Sequence, residues 1–179
     1  MNEPEFSRTA RIATLGSRPQ VMAIGADAAE RDALARRFGL IAIDHLSAEA
    51  ELTRSGDIVR AEGTLSARVT QSCVATGLPV PETIEEAFAI EFRPEPSSGG
   101  ADEEVELSES ELDVIFYAGG AVDLGEAVAE TLSLALDPYP RVSEADEALS
   151  AAGVKSEAQA KAESSPFAGL AGLKDKLGK

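Results

Sequence analysis

The side chains of this 179-residue chain best suited to nucleophilic chemistry are one thiol and one imidazole. Cys73 could attack an electrophile as a thiolate if a base took its proton. The only histidine, His45, lies well upstream on a predicted strand, and the spacing carries no nucleophile–base signature. We therefore read Cys73 as a structural cysteine at a strand end and expect no enzymatic activity. A single cysteine allows neither an intramolecular disulfide nor a multi-cysteine zinc site, and a lone histidine makes no metal site.

Carboxylates are the next candidates. Asp102, Glu103, Glu104, Glu106, Glu109 and Glu111 are crowded into one run. A calcium loop needs the Asp-x-Asp-x-Asp-Gly order to wrap the ion, and that order is missing. The run reads as a solvated acidic loop. Paired carboxylates for acid–base catalysis need a cleft, and no pattern marks one. Gly119-Gly120 is too short to cradle a phosphate. Arg31, Arg36 and Arg37 give one predicted helix a basic side that could meet RNA phosphates, although Glu30 and Asp32 beside them suit a plain solvated face. The residues thus assign no catalytic group, cofactor or metal.

Asp27 and Glu30 have the form of a capping box, with Ala28, Leu34, Ala35 and Phe38 at helical spacing and Gly39 as a stop. This predicts a helix over 28–38. The period then becomes two. Leu40, Ala42, Asp44, Leu46, Ala48, Ala50 and Leu52 form one predicted face, and Val59, Ala61, Gly63, Leu65, Ala67 and Val69 form its partner across the Ser55-Gly56-Asp57 turn. A third strand carries Ile84, Phe88, Ile90 and Phe92, and a fourth covers 113–117. Asp123 opens a second helix with Leu124, Val128, Leu132 and Ala135 on one face, Leu134 and Leu136 beside them, and Pro138 as its end. The Ala-, Ser-, Glu- and Lys-rich stretch 143–164 suits a flexible linker. Beyond it Pro166, Phe167, Leu170, Leu173 and Lys174 form a short amphipathic cassette of the docking-peptide kind.

Composition limits the partners. The net charge is −16 and hydrophobic residues make up 44 %, so the chain can bury one aliphatic core. The acidity lies mainly between residues 82 and 147, while both ends are close to neutral. Carboxylates repel nucleic-acid phosphates and anionic lipid, and favour basic proteins. No apolar run is long enough to span a bilayer, and the first residues lack a signal-peptide pattern. The expected location is cytoplasmic.

Three segments in order resemble one family. They run from Gly56 through Gly63 and Val69 to Val80, from Val122 to Pro140, and from Ser165 to Lys174. The middle block, with Asp123, Leu124 and Glu130 before Leu132-Ser133-Leu134-Ala135-Leu136, is the most specific. The chain is similar to the bacterial YceD family, the large ribosomal RNA subunit accumulation proteins. That resemblance implies a non-enzymatic, cytoplasmic role supporting 23S rRNA accumulation and large-subunit assembly. Many members carry Cys-x-x-Cys at the end of the second strand and further Cys or His after the long helix. Here Thr76 takes the second position and Arg141, Val142 and Ser143 follow Pro140. Any metal site of those relatives is thus lost, and Cys73 is left as a remnant.

The expected fold is α+β: an antiparallel sheet of about four or more strands, an N-terminal helix, a second helix after the sheet and a flexible tail. The expected organisation is one domain over 1–142, a linker over 143–164 and a docking segment over 165–179. The expected partners are ribosomal proteins or a pre-50S particle. Glu103, Glu104, Glu106, Pro166, Phe167, Leu170, Leu173 and Lys174 are the candidate protein contacts. Arg31, Arg36 and Arg37, with the terminal lysines Lys174, Lys176 and Lys179, carry the alternative of direct pre-rRNA binding, and a general acidic adaptor is a further alternative.

Overall fold

The computed structural model describes residues 4–96, 113–155 and 160–161. Glu103, Glu104, Glu106 and the cassette from Pro166 to Lys174 lie outside the described residues.

In chain order the elements are β1 (Thr9–Arg11), a 3-10 turn (Ile12–Thr14), β2 (Gln20–Gly25), α1 (Ala28–Phe38), β3 (Ala42–Ser55), β4 (Ile58–Ser72), β5 (Pro79–Pro94), β6 (Val114–Tyr117), β7 (Ala121–Asp123), α2 (Leu124–Ala135) and α3 (Ala145–Ala151). The main sheet has the order β2-β3-β4-β5-β6, and β1 pairs with β7 in a two-stranded sheet. The class is α+β, as expected, but the main sheet is mixed. β6 runs parallel to β5, from Glu91 opposite Val114 to Pro94 opposite Tyr117. A parallel neighbour needs a long connection, and β5 ends at Pro94 while β6 begins only at Val114, where a hairpin would have reversed the chain.

α1 forms for the reasons visible in its sequence. The Glu30 amide donates to Asp27 Oδ1 at 2.9 Å and the Asp27 amide donates to Glu30 Oε2 at 2.8 Å. Gly39 closes the helix in the left-handed region at φ +67°. Leu34 and Ala35 are its buried contacts.

The β3–β4 hairpin turns through Gly56-Asp57, between Ser55 and Ile58. Its inner face carries Leu46, Ala48, Ala50 and Leu52 against Val59, Ala61, Leu65, Ala67 and Val69. The first residues of β3 differ from the predicted alternation. The register slips between Ile43 and His45, so Asp44 is an extra residue. The bulge puts Ile43, not Asp44, on the core side with Leu46. Gly63 is required by packing: a Cβ there would collide with the Glu49 carbonyl and lie 2.7 Å from Ala50 Cα.

β1 and β2 have no counterpart among the predicted elements. β1 is only three residues long. β2 is an edge strand in which Ile24 alone is buried, so it shows no alternation to read. In α2, Leu124, Val128 and Leu132 are fully buried beneath the sheet's inner face with Phe6, Phe88, Ile90 and Phe92. Leu134, predicted beside that stripe, is instead 85 % exposed. α2 ends at Ala135, before Asp137-Pro138, and α3 occupies the start of the stretch whose composition suits a linker.

Candidate functional site

Cys73 sits where β4 ends in a tight corner. Its amide donates to the Leu78 carbonyl at 2.8 Å, its carbonyl accepts from Gly77 at 2.9 Å, and the next amide, Val74, donates to the Pro140 carbonyl at 3.0 Å. The corner is therefore pinned to the chain that leaves α2. Cys73 is 3 % exposed. Hydrogen bonding from the Thr76 side chain, then from the Val142 backbone, lowers the thiol from its usual 9.0 to about 7 against a smaller opposing effect of burial. His45 instead faces Ser47, with its Nε2 2.9 Å from Ser47 Oγ. The two residues that could have formed a nucleophile–base pair thus have different partners.

The same corner brings together Cys73, Thr76 and the 140–142 segment, the places where the Cys- and His-rich pattern would put its ligands. The donor set does not fit zinc. One thiol, one hydroxyl and backbone groups cannot supply four nitrogen or sulfur ligands. Among the described residues no group of three His, Cys, Asp or Glu side chains could hold a metal ion.

The arginines of α1 have unequal surroundings. Arg31 Nε donates to the Ile43 carbonyl at 3.2 Å and its Nη1 to the Ala26 carbonyl at 2.7 Å. Arg37 forks onto Glu126 at 2.7 and 3.0 Å and also reaches Glu5 at 3.0 Å. These carboxylates, Glu126 foremost, raise the Arg37 pKa further. Arg36 is exposed on the last turn of the helix. The helix thus spends two of its three candidate phosphate-binding groups on its own fold.

Asp123, Leu124 and Glu130 hold α2 in place and set its surface. Asp123 Oδ1 accepts from the amides of Gly125 at 3.0 Å, Glu126 at 3.3 Å and Arg8 at 2.8 Å, while Oδ2 accepts from Ser7 Oγ at 2.5 Å. Leu124 is fully buried, and Glu130 lies exposed along the helix. Sequence reasoning missed Arg8. Its guanidinium grips Glu30 through bonds of 2.7 and 2.8 Å, donates to the Gly25 carbonyl at 2.9 Å and stacks 4.8 Å from the Phe6 ring. No local pattern announces a pair so far apart in the chain. Gln71 was also missed: it is 8 % exposed, and its Nε2 donates to the Asp137 carbonyl at 3.0 Å.

Acidic residues collect on the outer face of the sheet. Glu51 stands directly opposite Glu62, with Glu49 one row away and Glu85 beyond Ser66. All four are exposed. Like charges directly opposite each other repel. Arg60, bonded to Glu62 at 3.0 Å, offsets only part of this.

The model of the YceD family, described as large ribosomal RNA subunit accumulation protein, matches residues 61–174. No curated protein and no solved structure matches the chain. The match begins within β4, spans β5 to α3 and extends to Lys174, the last residue of the terminal cassette.

Proposed function

This chain belongs to the YceD family of large ribosomal RNA subunit accumulation proteins, and we propose that it supports 23S rRNA accumulation by helping to assemble the large ribosomal subunit. It does so without catalysis, in the cytoplasm, as a protein that holds basic ribosomal proteins or the pre-50S particle through its acidic surface. The observation that carries this reading is the exposed carboxylate face of Glu49, Glu51, Glu62 and Glu85, in which Glu51 and Glu62 are left facing each other. A cationic partner relieves that repulsion and is steered to the face by long-range attraction. Glu103, Glu104 and Glu106, outside the described residues, add acidic groups to the same chain and are assigned as further contacts. Pro166, Phe167, Leu170, Leu173 and Lys174 serve as a second anchor. Direct pre-rRNA binding through α1 has less support, because Arg31 and Arg37 are engaged within the fold.

The test is a deletion strain profiled on sucrose gradients, with a tagged copy used for pull-down at low and high salt. A reduced 50S peak, less 23S rRNA and retention of ribosomal proteins at low salt are expected. A normal 50S peak with normal 23S rRNA overturns the assembly role. Failure to retain any ribosomal protein or particle at low salt overturns the contact.

A further inference from the structure

β5 is much longer than the strand that covers it. β4 pairs with it from Pro79 to Phe92, whereas β6 covers only Glu91 to Pro94 on the other side. Among the described residues no strand pairs with that other side from Pro79 to Ile90. The direction of its backbone groups follows from one bond. The Glu91 amide donates away from β4, to the Asp113 carbonyl at 3.0 Å. The β4–β5 register has no bulge, so the alternate residues Ala89, Ala87, Glu85 and Thr83 turn their amides and carbonyls the same way. Pro81 and Pro79 continue the series at positions where a missing N–H leaves the β4 ladder intact. An edge of this kind is a template for another strand.

The flanks define what fits. On the inner side, an open groove of about 390 Å³ lies between the edge and α2, lined by Phe88, Ile90, Thr131 and Leu134 together with Glu86 and Asp113. On the outer side the edge adjoins the carboxylate face through Glu85. No Lys or Arg occurs from Pro79 to Phe92. We infer that the open edge of β5 adds an extended, Lys- or Arg-bearing segment of a partner protein as a further strand, with its alternate apolar side chains in the α2 groove and its basic ones beside Glu85. Backbone bonds supply the affinity and the two flanks supply the selectivity. This rests on the assembly reading above and names its mode of contact.

The probe is a labelled peptide of alternating lysine and valine, added to the full chain at low salt, with amide hydrogen exchange as the second measurement. Binding is expected to protect the amides of Thr83, Glu85, Ala87 and Ala89 and to leave those of Ile84, Glu86 and Phe88 unchanged. The Ala87→Pro variant removes one outward amide at a position equivalent to Pro81 and weakens binding about tenfold. The exchange pattern in the unaltered chain decides the matter even if that variant misfolds. Absence of binding, binding without protection of the alternate amides, or amides already protected in the free chain each overturns the inference. The last result would mean that the chain's own residues cover the edge. If a folded Ala87→Pro protein still joins pre-50S particles normally, the strand addition fails and the assembly role stands. If the unaltered chain never joins them, the assembly role fails whatever the peptide does.

Discussion

Asp123 Oδ1 accepts the backbone amide of Arg8 at 2.8 Å while the same carboxylate caps α2. One side chain thus ties the first strand to the second helix, and β1 continues the tie by pairing Thr9 with Asp123 itself. Replacing Asp123 with Ala removes an N-cap and leaves the Arg8 amide unpaired. A loss of about 1–3 kcal/mol is expected in urea unfolding, with Asp123→Asn recovering part of it.

Gly125 tolerates no side chain. A Cβ there would lie 2.5 Å from the Phe6 carbonyl oxygen and 2.7 Å from the Arg8 amide nitrogen, both of them backbone atoms. Gly125→Ala must push the segment from Phe6 to Arg8 away from α2 and is expected to cost about 1–3 kcal/mol, although alanine favours helix. Gly120→Ala meets nothing within 4 Å and serves as the control by thermal unfolding.

The Arg8–Glu30 pair sets an acid dependence. The Arg8 hydrogen bonds are the largest effect holding the Glu30 carboxyl below its usual 4.5. A lowered folded pKa means that the unfolded chain binds the proton first. The contribution to stability is therefore present above about 4.5 and disappears as the pH falls through the folded value. Glu30→Gln is expected to flatten the stability profile below pH 4.5, measured by urea unfolding at successive pH values. It also weakens the α1 cap at every pH.

Arg36 and Arg37 are adjacent in sequence but differ in role. Arg37→Ala breaks the fork to Glu126 and the contact with Glu5 between groups about one-third exposed, and is expected to cost about 0.5–1 kcal/mol. Arg36→Ala is expected to leave stability unchanged. If Arg31→Glu, Arg36→Glu and Arg37→Glu each leave the salt slope of any RNA binding unchanged, phosphate contact through this helix is excluded.

The Cys73 thiol is poised to ionise near neutrality. Thiolate absorbance of the native chain at 240 nm is expected to rise with a midpoint of about 7, and Thr76→Val moves that midpoint upward by removing the leading hydrogen bond. Because the folded value lies below the usual 9.0, stability gains as pH climbs through the interval between them and is lost as pH falls through the folded value. Cys73→Ser is expected to remove this dependence without abolishing complementation of a deletion strain.

The elements legible in the sequence were those whose causes are local. The ends of α1 follow from Asp27, Glu30 and Gly39, each within reach of the turn it completes. The inner face of β4 follows from strict alternation, since the sheet is buried on one side only. The middle block also singled out Asp123 and Leu124, a cap and a core anchor whose local roles leave a mark in sequence. Leu134 misled because an apolar residue one position off a helical stripe reads the same whether or not anything covers it.

What depended on distant residues could not be read in this way. The parallel β6, the extra residue at Asp44, the Arg8–Glu30 grip and the length of β5 that no described strand pairs on its far side all follow from which strand lies beside which. Composition located the acid, the local signals set the helix and hairpin, and family membership followed from the order of the motifs. Assembly of the sheet then spent two arginines on the fold, separated Cys73 from His45 and, among the described residues, left part of the backbone of one acidic strand without a partner strand. Contacts between elements remote in the chain are settled only when the whole core packs, because each such contact closes a long loop whose entropy a local pattern cannot repay.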